Sequence, residues 1–341
     1  MIRYIRYMLS LSKNVDVLPQ LMHLPVTLRE AVRWALKSRE INQKIVDGYF
    51  SDRLVVVPSL CKSASGTLGR SIAAIQQRFA DGSGIDRLPI YVQGVDDHNI
   101  RLEMMLGLLE GGTVSLHARP SGENLMVLRV LDAKYVINFR HPADNMVAVA
   151  CGYYDANPKY SIDGDWAFTY QHPVHANLYK SEVDVRDKIN HLIQDGYLNT
   201  TLAWIAGWLH FRDSQRSIVN RYEDYVVDRK TALDSIANFL YGQKLDDATL
   251  QRCNHIADGF GRRNWKRSGN AEAIQDNPTE EITTELVTEK YPYGWTGEIG
   301  VRKKYYSKEN RIAYISAVEG FLESYPQASL LLDVYPDLLE F

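Results

Sequence analysis

The chain has 341 residues, with 39 Lys and Arg against 42 Asp and Glu for a formal charge of −3, and a hydrophobic fraction of 45%. That length can bury a large core without cross-links, and the near-neutral balance excludes a global basic field for a long nucleic acid, so an anion site must be local. Three scattered cysteines, Cys61, Cys151 and Cys253, lack metal-ligand spacing and read as reduced structural thiols.

At the N-terminus, Arg3 and Arg6 interrupt a short apolar stretch with no long h-region, and no apolar run approaches the roughly 18 residues of a bilayer span. A soluble, cytoplasmic protein without a membrane partner is expected. Residues 1–50 read as an amphipathic helical segment packed on a main domain at 51–341, with Leu28, Val32, Ala35 and Leu36 on one face. Leu54-Val55-Val56-Val57 is a β-branched run suited to a strand buried on both faces of a parallel sheet. A Ser/Gly-rich turn follows, then a helix over Gly66 to Phe79 with Leu68, Ile72, Ile75 and Phe79 at helical spacing.

Further strands are predicted at Gly112 to Leu116, Tyr135 to Phe139 and Ser217 to Arg221. Helices are predicted at Glu123 to Leu131, Val185 to Gln194, Thr200 to His210, Lys230 to Leu240 and Lys308 to Ser324. The polar stretch Gly259 to Pro292 reads as loop, with a helix around Thr279 to Glu289. This order implies a three-layer α/β fold: a central parallel sheet of four or five strands, helices on both faces, and a helical C-terminal half.

Strand, loop and helix around Lys62 to Thr67 supply the parts of an anion site. N–H groups and the helix dipole favour a phosphate, Gly66 permits close approach, Ser63, Ser65 and Thr67 carry hydroxyls, and Lys62 brings a full charge. The loop is not a Walker A motif, because Lys62 precedes Gly66. A helix cap with incidental serines is the bland alternative.

The order Lys-Ser-x-Ser-x-Thr resembles the sulfate and phosphate loop of the PAPS-dependent sulfotransferase superfamily, whose domain has a P-loop NTPase-like fold. Three further motifs follow in that family's order. Val114 to Pro120 is similar to its K-x-H segment, which implies His117 as the catalytic base, with Ser115 where the family has lysine. Lys134 to Asp144 is similar to its strand and R-[DN]-P-x-D turn, which implies that Arg140 binds the carrier's 3′-phosphate; Ala148 stands where the family has serine. The bland reading pairs Arg140 with Asp144. Ser217 to Asp224 resembles the strand ending in Tyr-Glu-Asp, which implies Tyr222 near adenine; without the resemblance Tyr222 reads as core. Trp295 to Lys303 is similar to the glycine segment that folds over the 3′-phosphate, which implies a contact from Gly297; Trp295-Thr296 stands in place of Arg-Lys, and Arg302, Lys303 or the upstream Arg262-Arg263 is the candidate to replace that charge.

The resemblance implies a sulfotransferase that uses PAPS as co-substrate and needs no metal. Lys62 and His117 would be catalytic; Lys62, Ser63, Ala64, Ser65, Gly66, Thr67, Arg140, Tyr222, Gly297 and Arg302 would bind the donor. The acceptor would be a small hydroxylated molecule, lined by Asp81 to Leu102, Asp155 to Val183 and Arg262 to Pro278, and a homodimer is compatible with this reading. A small-molecule kinase on the same fold, or an inactive nucleotide-binding scaffold, is the alternative.

Overall fold

The computed structural model describes residues 53–80, 90–94, 112–152, 184–268 and 299–341, together with Gln43 and Ile100. The N-terminal segment 1–50 apart from Gln43, the helix expected near Thr279, and most of the three acceptor segments lie outside the described residues. A five-stranded parallel sheet forms the centre. It contains β1 (Leu54–Pro58), β2 (Ile90–Gly94), β3 (Gly112–Leu116), β4 (Lys134–Phe139) and β5 (Ser217–Arg221), in the order β2-β3-β1-β4-β5.

The central strand explains the layers. Leu54 and Val56 enter one hydrophobic cluster while Val55 and Val57 enter another, since successive side chains of a strand leave by opposite faces. Full burial of each such side chain stabilises the fold by about 1.5–3 kcal/mol, so both faces must be covered.

One face is covered by α1 (Ser65–Ala80), which presents Leu68, Ile72 and Ile75. α7 (Arg229–Tyr241) and α8 (Asp247–Ser268) complete that layer with Leu233, Ile236 and Cys253; the short α6 (Tyr222–Val227) adds Tyr225. The other face carries α2 (Gly122–Val130), α3 (Pro142–Gly152), α4 (Val185–Gln194) and α5 (Tyr197–Phe211). Outside these pack α10 (Lys308–Ser324), a 3-10 turn at Pro326–Ser329 and α11 (Leu330–Val334). A four-residue turn of helix, α9 (Arg302–Tyr305), precedes α10. This is the expected P-loop-like α/β architecture with a helical C-terminal half.

Local signals account for the helix ends. Asp184 caps α4 through Arg186 N, Gly242 closes α7 in the left-handed region at φ 67°, and Ser307 with Asn310 forms a capping box at α10. Two expectations are corrected. Residues 259–268 continue α8 although their glycines argue for loop, because the preceding turns lock Cys253 and Thr249 against α1 and the helix propagates from there. Ile90–Gly94, assigned above only to an acceptor-lining segment, is strand β2, paired in parallel with β3. Among the described residues no helix is long and apolar enough to cross a membrane.

Candidate active site

All four strand-end motifs converge on one edge of the sheet. Lys62 follows β1, His117 follows β3, Arg140 follows β4, and Tyr222 follows β5, so each lies beyond the C-terminal end of its strand, where open parallel sheets place their ligand sites.

The loop from Ser59 to Ala64 is pinned at several points. Ser59 N donates to Leu116 O at 2.8 Å, Leu60 N donates to Asn138 O at 2.8 Å, and Asn138 Nδ2 donates to Ser63 O at 2.7 Å. From α3, Asn145 Nδ2 donates to Cys61 O at 2.6 Å. Lys62 and Ala64 both adopt left-handed backbone, at φ 61° and 57°, which is unfavourable for residues with a Cβ and persists only where surrounding contacts impose it. The loop then enters α1, whose first turn, containing Ser65, Gly66 and Thr67, has no acidic residue to oppose an anion. Ser115 donates from Oγ to Ser65 O at 3.3 Å.

Two features of the loop suit a bound anion. Ser63 Oγ is buried and has no hydrogen-bond partner among the described residues, a costly state for a hydroxyl that a phosphate oxygen would relieve. Burial also pushes the Lys62 ammonium below its ordinary pKa of 10.5, with a smaller opposing influence from Cys61. A negative ligand would offset that desolvation.

His117 is joined to the loop. Its Nδ1 lies 2.7 Å from Ser59 O, an acceptor, so Nδ1 carries the proton and Nε2 is the basic nitrogen of the neutral ring. The next residue is held equally firmly, as Trp204 Nε1 and Trp208 Nε1 both donate to Ala118 O, at 2.8 and 3.0 Å. A side chain at Gly207 would collide with Pro120 Cγ at 2.6 Å, so glycine is what lets α5 approach this segment closely.

Arg140 is buried with its guanidinium 4.5 Å from the centre of the Tyr222 ring, joining two predicted donor residues in a cation–π contact. Burial raises the Tyr222 pKa and Arg140 partly opposes that shift. Glu223 accepts from His141 N at 2.8 Å and from Tyr335 OH at 3.1 Å, so it orders the turn beside Arg140.

Asp144 ties the C-terminal segment to α3. Asp144 accepts from Gly300 N at 2.8 Å and Arg302 N at 2.9 Å, and pairs with Arg302 Nη1 at 3.1 Å. Arg302 also donates to Asp337 at 2.5 Å and Glu340 O at 3.2 Å, so all three of its nitrogens are engaged in fastening the C-terminal segment to α3. Its guanidinium thus joins α3 to the C-terminal segment. Gly297, with Trp295 and Thr296, lies outside the described residues. Sequence reading missed Asn138, Asn145, Asn220 and Tyr197, all buried, although an asparagine in the buried strand Lys134–Phe139 was a legible anomaly.

No family model matches the chain, and no curated protein matches it. Solved structures do. The mouse sulfotransferase SULT7A1 complexed with PAP is 13% identical, with a TM-score of 0.49, over 87% of this chain and 94% of that one. Retinol dehydratase in complex with androsterone and the inactive cofactor PAP is 18% identical, with a TM-score of 0.48, over 82% of this chain and 83% of that one. The sulfotransferase domain from the curacin biosynthetic pathway is 12% identical, with a TM-score of 0.32, over 72% of this chain and 98% of that domain. At such identities and scores, the chemistry rests on the residues of the site itself.

Proposed function

We propose that the protein is a PAPS-dependent sulfotransferase that moves a sulfuryl group to the hydroxyl of a small acceptor, releasing PAP. The observation that carries this reading is the hydrogen bond between His117 Nδ1 and Ser59 O, which ties a base with its basic nitrogen defined to the strand end that begins the anion loop.

In this reading Lys62, Ser63 and the N–H groups at the start of α1 hold the 5′-phosphosulfate of the donor, and Arg140, steadied by Tyr222, takes the 3′-phosphate. Ser63 Oγ gains the acceptor it lacks. His117 Nε2 receives the proton of the acceptor hydroxyl as the new O–S bond forms. The bond from sulfur to the bridging oxygen breaks, its electron pair stays with the 5′-phosphate of PAP, and Lys62 faces the charge that develops there. Positioning and electrostatics supply the catalysis.

The test is ligand-induced stabilisation. PAP is expected to raise the melting temperature more than ATP with Mg²⁺ at equal concentration, because only a ligand of the folded state shifts the transition. A preference for ATP would replace this reading with a small-molecule kinase on the same fold.

A further inference from the structure

We propose that Asn138 and Asn145 are the positioning residues of the anion loop, drawing the carbonyls of Ser63 and Cys61 inward so that the Ala64 and Lys62 N–H groups face the anion. The proposal rests on the reading of this loop as the holder of the donor's 5′-phosphate.

Peptide geometry supplies the first step. The described chain contains no cis bond, and in a trans peptide the C=O and the following N–H point in opposite directions. Ser63 O is drawn toward β4 by Asn138 Nδ2 at 2.7 Å, which turns Ala64 N–H away from the sheet. Cys61 O is drawn toward α3 by Asn145 Nδ2 at 2.6 Å, which turns Lys62 N–H away from that helix. The residues whose N–H groups are so turned, Lys62 and Ala64, are the two of this loop that adopt left-handed backbone. An unfavourable conformation at both positions therefore coincides with an inward hydrogen bond from the carbonyl before each.

Each amide has its own orientation fixed from behind. Tyr197 OH donates to Asn145 Oδ1 at 2.9 Å and Asn220 Nδ2 donates to Asn138 Oδ1 at 2.9 Å, so each amide oxygen is engaged and each nitrogen faces the loop. All of these groups are buried. Asparagine is disfavoured within a strand, and buried polar side chains are costly unless fully paired. Two such networks, from different elements, end on alternate carbonyls of one short loop.

The experiment separates positioning from general support of the fold. Asn138→Leu and Asn145→Leu remove the donor without adding charge; Asn220→Ser and Tyr197→Phe leave the asparagines in place and loosen their orientation. Binding of PAP and of adenosine 3′-monophosphate, which lacks the 5′-phosphate, is measured by calorimetry beside thermal melts. The leucine variants are expected to bind PAP at least about tenfold more weakly, the loss typical of hydrogen bonds to a charged group, with affinity for adenosine 3′-monophosphate unchanged. Asn220→Ser and Tyr197→Phe are expected to show a smaller loss of the same selectivity, and they carry the test if the leucine variants fail to fold. Unimpaired PAP binding in folded variants, or an equal loss for both nucleotides, would overturn the proposal alone. A parent that binds inorganic phosphate but not PAP would overturn the nucleotide reading, and the same variants titrated with phosphate would then decide the positioning role. A parent that binds neither would overturn both.

Discussion

His117 Nδ1 lies 2.7 Å from the carbonyl oxygen of Ser59, and that single hydrogen bond fixes which ring nitrogen can act as a base. The contact does not involve the donor-binding groups of the loop, so loss of the imidazole should separate binding from chemistry. His117→Gln is expected to bind PAP as the parent does and to transfer sulfuryl at least about 100-fold more slowly, the lower end of general-base contributions. Single-turnover transfer and PAP titration check this. A structural role would instead weaken PAP binding and lower the melting temperature together.

Lys62 tests the opposite balance. Desolvation lowers its pKa in the folded chain, so the unfolded chain holds this proton more tightly. The charged lysine therefore costs stability below its folded pKa, and the cost fades as pH rises toward 10.5. Lys62→Met is expected to melt no lower than the parent at neutral pH while losing PAP binding and turnover, a site built at the expense of stability. A variant that melts lower yet binds PAP normally would remove Lys62 from the site.

Much of this arrangement could be read from the chain, and the omissions have physical causes. The run at Leu54 to Val57, the helix at Val185 to Gln194 and the helix at Lys308 to Ser324 were legible because burial pattern and caps agree there. Lys62, His117, Arg140 and Tyr222 were legible as strand-end residues, and the topology places all four on one edge of the sheet. The pairing of Arg302 was not legible because its charge is visible in sequence while its partners Asp144 and Asp337 are 158 and 35 residues away. Asn138 and Asn145 escaped notice for a related reason: they act on backbone carbonyls, which leave no trace in side-chain motifs.

The Arg302 ion pair should be asymmetric. Asp144 is fully buried, whereas Arg302 has a second carboxylate in Asp337. Arg302→Met strands the buried Asp144 charge and is expected to cost about 3–5 kcal/mol in urea unfolding. Asp144→Asn keeps an acceptor for only one of the Gly300 and Arg302 N–H groups, which bond different carboxylate oxygens, but it strands no buried charge and leaves Arg302 with Asp337, so its cost should be smaller. Equal costs would show that the pair is worth no more than its backbone hydrogen bonds.

His141 makes the sharpest pH prediction, because it is buried beside the residue proposed to hold the 3′-phosphate. Its pKa is lowered from 6.5 to about 4, first by burial and then by the Arg302 cation, with Asp144 and Asp337 opposing the shift. Asp337 Oδ1 is 4.0 Å from Nε2, Tyr335 packs edge-on at 4.9 Å between ring centroids, and His141 N donates to Glu223. Nδ1 accepts from Ala143 N at 3.2 Å, a bond that the neutral ring can make and a ring protonated at both nitrogens cannot. The sign follows from proton counts. Between pH 6.5 and about 4 the unfolded chain binds a proton that the folded chain refuses, so stability falls as pH falls through this window. The slope from one such group is at most about 1.4 kcal/mol per pH unit. His141→Gln preserves the backbone bond to Glu223 but cannot titrate. Urea unfolding of parent and variant at several pH values from 8 to 4 should therefore show the parent losing stability faster as the pH falls through this window, with the two curves parallel above pH 7. Parallel curves throughout would mean that His141 binds its proton equally well folded and unfolded, and Ala143 N would then lose its acceptor as the ring protonates.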